Sequence, residues 1–144
     1  MEALKRIIGI YLIAVAVIVA VHTIIEPLYY TSTETDPYTP NWSYINPLMA
    51  LAVALSLVCS YGCKRRADAE GGDAPVTRYY LAANTLFYGF IFIGILFFWN
   101  WFNYVSPGFT AVGDDTVTLV WGLIDAALPP LLGAMGMCLL RCER

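Results

Sequence analysis

The chain has 144 residues, 59% hydrophobic, 15% aromatic and 13% charged, with net charge −3 and mean hydropathy +0.64. Soluble domains carry about 25% charged residues, so this composition cannot coat a water-facing surface, and its apolar content excludes a disordered chain. The eight Lys and Arg stand in short clusters, which argues against a nucleic-acid-binding surface. The fold class left is an all-α integral membrane protein with a single membrane domain.

Four apolar runs are predicted to be transmembrane helices: Ile7–Ile25, Ile45–Cys63, Leu81–Phe102 and Val117–Leu140. Each approaches or exceeds the ~20 residues that cross ~30 Å of hydrocarbon. The first follows Lys5 and Arg6, lacks a small-residue cleavage site, and reads as a retained helix rather than a signal peptide. The polar segment Pro27–Tyr44 comes next. It contains Asn41-Trp42-Ser43, formally a glycosylation sequon but one very near the expected membrane surface. The second run closes on Cys59 and Cys63 and leads into a segment, Lys64–Arg78, expected to be a loop. The third is aromatic: Tyr79 through Tyr104 hold twelve of the 21 aromatic residues. Rings at 100° per residue cannot all face one side, so part of this helix must meet lipid, a bound hydrophobic molecule or another subunit. The segment Asn103–Thr116 leads to the fourth run, which contains Asp125, Pro129 and Pro130.

Charge sets the expected orientation. With four crossings, Lys5, Arg6, Lys64, Arg65, Arg66, Arg78, Arg141 and Arg144 all fall on one side. The other side carries Glu26, Glu34, Asp36, Asp114 and Asp115 and no Lys or Arg. The positive-inside rule then places both termini in the cytoplasm of a plasma or cell inner membrane. Three or five crossings would split the basic clusters. Tyr and Trp residues at the run ends suit the headgroup level. In a bilayer, helices associate through small residues and polar links. Ala16 and Ala20, Ala50 and Ala54, and Gly122 and Ala126 supply four-residue spacings for an antiparallel bundle.

An ionisable group inside a span calls for a functional hypothesis. Asp125 lies one to two turns into the fourth run, and Pro129 and Pro130 leave the carbonyls of Asp125 and Ala126 without helical donors. A kink there, with a carboxylate and freed acceptors, resembles the cation or proton sites of transporters; the plainer alternative is a bend that only shapes the bundle. His22 and Glu26 share a helix face at i, i+4, and Asn100 and Asn103 reach a similar height. Converging with Asp125, His22 and Glu26 suit a divalent metal or a proton relay, or else form a structural ion pair or hydrogen bond. One histidine excludes a bis-His haem or a two-His zinc motif within the chain.

Cys59 and Cys63, and Cys138 and Cys142, form two C-x-x-x-C pairs beside basic residues at the expected cytoplasmic face. Reduced packed thiols, palmitoylation or a four-thiolate metal site are the alternatives. No catalytic residue set, metal or cofactor is assigned. The expected role is a non-catalytic accessory or structural subunit of a larger membrane complex, with lipid and other membrane subunits, or further copies of itself, as partners. One alternative is a small oligomeric ion- or proton-coupled transporter or channel using Asp125 at a broken helix. Another is a metal-dependent membrane enzyme or redox subunit using His22, Glu26 and Asp125.

Overall fold

The computed structural model describes residues 2–33, 38–71, 76–106 and 113–141. They form four helices: α1 (Glu2–Tyr29), α2 (Trp42–Gly71), α3 (Arg78–Val105) and α4 (Asp114–Arg141). Each is long and apolar enough to cross a membrane. At 28 to 30 residues and 1.5 Å per residue, each matches the ~40–45 Å of a bilayer with its headgroups. Four such helices are consistent with a small multi-pass membrane protein.

The helices overrun their apolar cores for local reasons. The first half of Lys64–Arg78, expected as loop, is the last two turns of α2, which runs to Gly71. Ala and Arg there are good helix formers, and Lys64 Nζ meets Asp68 Oδ2 at 2.6 Å one turn on. α3 starts where the Thr77 side chain accepts a hydrogen bond from the Tyr80 N–H at 3.1 Å. α1 runs through Pro27, which removes only the bond to the Thr23 carbonyl. The ladder resumes when the Tyr30 N–H donates to the Glu26 carbonyl at 3.0 Å. α4 is a single helix with Pro129 and Pro130 inside it.

α1 packs on α2 and α4, and α3 packs on the same two helices from the other side; α2 and α4 meet across the centre. The neighbours are antiparallel, since His22 meets Trp42, Val53 lies opposite Gly94, and Phe97 meets Trp121. Leu12, Val19, Met49, Phe90, Ile124 and Leu132 are fully buried in the resulting core.

The closest helix approach is between α1 and α4. A Cβ on Gly9 would stand 3.0 Å from the Gly136 carbonyl oxygen, and one on Gly136 would stand 2.7 Å from the Gly9 carbonyl oxygen. The small-residue spacings read from sequence fare unevenly. Ala16 is buried, but Ala54, Gly122 and Ala126 are exposed, and a Cβ on Gly122 would meet nothing within 4 Å. The face α4 turns inward is set by its bulky stripe of Trp121, Ile124, Leu128, Leu132, Met135 and Leu139. Gly122 and Ala126 lie off that stripe.

α3 carries two opposed stripes, each stepping alternately three and four residues. Ala83, Leu86, Phe90, Ile93, Phe97 and Asn100 face the core. Tyr88, Phe92, Ile95, Trp99 and Phe102 face out. The bundle thus covers only part of the aromatic circumference. The described Lys and Arg gather at one end of the bundle, hereafter the basic end, while Glu26, Asp114 and Asp115 mark the acidic end.

Candidate functional site

At the acidic end, the last turns of α1 grip the start of α2. Both Glu26 carboxylate oxygens accept from Trp42 Nε1 at 3.0 Å, and Oε1 also accepts from the Thr39 backbone N–H at 3.0 Å. One turn earlier, His22 shares hydrogen bonds with Thr39 Oγ1 (Nε2, 3.1 Å) and with the Tyr29 hydroxyl (Nδ1, 3.0 Å). The Trp42 ring meets the imidazole edge-on at 4.7 Å. The i, i+4 spacing read from sequence therefore serves to clamp residues 39–42 onto α1. No hydrogen bond links His22, Glu26 and Asp125 to one another among the described residues.

The clamped segment forms one wall of a cavity of about 450 Å³, within the range of small-molecule sites. Asp125 from α4 lines it, 9% exposed, with its buried Oδ1 lacking a hydrogen-bond partner among the described residues. Asn46 from α2 lines it too, 6% exposed, its Oδ1 in the same condition. Tyr38, Trp42, Tyr104 and Trp121 supply aromatic wall, and among the described residues the charged members of the lining are Asp114 and Asp125. Asn100 is fully buried beside the cavity, and its Nδ2 donates to the carbonyl of Val117, itself a lining residue, at 3.1 Å. Its Oδ1 also lacks a partner.

Prolines shape the lining as well. Pro129 removes the helical donor for the Asp125 carbonyl, and Pro47 does the same for the carbonyl of Ser43, another lining residue. Sequence reading found the first and passed over the second. The signal was present: a proline four residues after a polar residue within an apolar helix. Towards the basic end the site is closed. Trp121 packs edge-on against Phe97 at 5.8 Å, and the next inward residues of α4, Leu128 and Leu132, are fully buried.

Tyr38, in the connection between α1 and α2, reports the electrostatics. Its hydroxyl donates to Thr118 Oγ1 at 2.9 Å. Burial pushes its pKa above the ordinary tyrosine value, and the negative charges of Asp125, Glu26 and Asp114 add to this against the opposing effect of the Thr118 bond. The unfolded chain thus ionises at this position before the folded one does. The contribution is fully present below pH ~10 and is lost as pH rises through the higher folded value. Tyr38→Phe should be less stable than the parent near neutrality, by about 1 kcal/mol or less for the missing hydrogen bond. The difference in melting temperature should shrink as pH is raised from 9 to 11; a constant difference would show that the phenol does not sense this field.

Among the described residues, no three His, Cys, Asp or Glu side chains come together as a metal-ligating group. Cys59 and Cys63 are half-buried against the core near the basic end, and Cys138 is half-buried on the last turn of α4. Cys142 lies outside the described residues. No protein-family model matches the chain, nor does any curated protein or solved structure.

Proposed function

We propose that this small multi-pass membrane protein takes up a cationic solute in its acidic-end cavity, with Asp125 as the coupling carboxylate of an ion- or proton-coupled carrier. One observation carries the reading: Asp125, 91% buried and with one carboxylate oxygen lacking a partner among the described residues, lines a cavity whose charged lining residues, among those described, are both acidic. A buried polar group without a partner costs about 1–3 kcal/mol, and a carboxylate within a span costs more. A binding cation or proton offsets that cost. The positive-inside rule puts the acidic end outside the cell, so the cavity opens to the exterior. Packing from Phe97 to Leu132 closes the way to the basic end, which favours alternating access over a continuous pore. Pro129 and Pro130, which leave the carbonyls of Asp125 and Ala126 without helical donors, give α4 its proposed hinge just below the carboxylate.

Reconstitution into proteoliposomes tests this. Asp125→Asn keeps the side-chain shape and removes the charge, and it should reduce cation-driven proton movement at least tenfold while the thermal melt stays cooperative. Equal flux in parent and variant would dismiss Asp125 as the coupling group.

A second reading, that the chain is an accessory subunit, is favoured by the exposed seam of α3. Leu81, Tyr88, Phe92, Ile95, Trp99 and Phe102 keep a 3.5-residue period over this helix, the period at which one helix packs along another. A photo-crosslinking amino acid placed at Ile95 should then give a discrete protein adduct in native membranes. Adducts to lipid alone would remove the support for this reading.

A further inference from the structure

We infer that the ligand of the acidic-end cavity is an organic ammonium ion, bound by Asp125 at one side and by aromatic ring surface at the other. This names the substrate class for the cation site proposed above and rests on that reading.

The sign of the ligand follows from what the cavity still has to offer. Among the described residues its charged groups are Asp114 and Asp125, and the buried side-chain atoms of its lining residues that lack partners are oxygens, Oδ1 of Asp125 and Oδ1 of Asn46. Two of its polar hydrogens are already committed: the Trp42 N–H to Glu26 and the Tyr38 hydroxyl to Thr118. An anion would meet repulsion from both carboxylates. A neutral polyol would leave the charges of Asp114 and Asp125 without a counter-charge. A positively charged donor matches the site on charge and on hydrogen bonding.

The walls distinguish an organic cation from a metal ion. A hard cation such as calcium exchanges its hydration shell for six to eight oxygens at about 2.3–2.6 Å. Among the described residues, no three His, Cys, Asp or Glu side chains are gathered closely enough to begin such a shell, and a volume of about 450 Å³ far exceeds a bare ion. Trp42, Trp121, Tyr38 and Tyr104 line the space instead. The Trp42 N–H is taken by Glu26, so what this side chain has left for a ligand is ring carbon. Tryptophan and tyrosine rings attract ammonium groups through their negative π faces, most strongly where water is excluded, and aromatic cages of this composition bind alkylated ammonium. Trp121 is held in place by Phe97 and Trp42 by Glu26 and His22. Two ring walls are thus positioned before a ligand arrives.

Calorimetric titration of the detergent-purified full chain with tetramethylammonium chloride, against sodium chloride at equal ionic strength, tests the inference. Tetramethylammonium should bind saturably and sodium should not compete. Asp125→Asn should weaken binding about tenfold or more, and Tyr104→Ala, at an exposed rim position, should weaken it about two- to tenfold. Each variant's thermal melt shows that it folds. Saturable binding with these losses upholds the ammonium site even if no flux is seen in proteoliposomes, a result that removes only the carrier reading. Asp125-dependent flux of sodium or protons without tetramethylammonium binding overturns the ammonium assignment and leaves the carrier standing. Binding that is indifferent to both substitutions overturns the assignment as well.

Discussion

Gly136→Ala is expected to lower the melting temperature in mild detergent by several degrees, and Gly122→Ala, on the same helix, to leave it unchanged or raise it slightly. The added methyl at Gly136 would lie 2.7 Å from the Gly9 carbonyl oxygen and 2.7 Å from Ile13 Cγ1. Ile13 can change rotamer, but a helical carbonyl is fixed by its own ladder. The clash is therefore relieved only by moving α1 away from α4. Overpacking of this kind costs about 1–3 kcal/mol. Alanine's better helix propensity returns about 0.5–1 kcal/mol, so the net effect remains destabilising. At Gly122 the propensity gain stands alone, because a Cβ there meets nothing within 4 Å. Equal effects at the two glycines would mean that α1 and α4 do not meet at this point. Gly9→Ala should be milder than Gly136→Ala, since its Cβ stops 3.0 Å from the facing carbonyl and otherwise meets only the flexible Leu140.

This contact also bears on the cavity. α1 carries the Glu26 and His22 clamp, α4 carries Asp125, and the two helices are levered apart or held together near their basic ends. For helices packed in lipid, where burial of apolar surface gives little drive for association, such close backbone approach is a main source of packing energy.

The four helices were legible because each is a long apolar run marked off by polar segments, a signal of length and hydropathy that the sequence carries directly. Asp125, His22, Glu26 and Asn100 were legible as polar residues in apolar runs. Their partners were not. The bond from Trp42 to Glu26 spans a connection whose path no helical period encodes, and a tryptophan near a helix end reads as an interfacial anchor before it reads as a hydrogen-bond donor. The Gly9–Gly136 approach escaped for a related reason. Small residues four apart mark a helix face, but which face turns inward depends on the bulky stripe beside it, and Gly9, the one glycine of α1, leaves no glycine repeat on that helix to detect. The cavity itself arises where the ends of α2, α3 and α4 meet the connection from α1, a property of the assembled bundle and of no one segment.

Glu26→Ala is expected to lower stability by about 2–6 kcal/mol and to abolish ligand binding in the cavity, with Glu26→Gln intermediate. The carboxylate accepts from Trp42 Nε1 and the Thr39 backbone N–H, on residues that are 9% and 4% exposed. Truncation to alanine strands both donors, at about 1–3 kcal/mol each. Glutamine keeps one acceptor oxygen, so it can satisfy the Thr39 N–H while its amide nitrogen opposes the indole N–H. The difference between the two variants isolates hydrogen bonding from charge. Trp42 and Thr39 both line the cavity, so a loosened connection loses the aromatic wall along with the stability. If Glu26→Ala melts like the parent, water replaces the carboxylate in the clamp. The wall from Tyr38 to Trp42 is then held mainly by His22 and by the Tyr38–Thr118 bond, and combining His22→Ala with Glu26→Ala should expose the loss that the single substitution concealed.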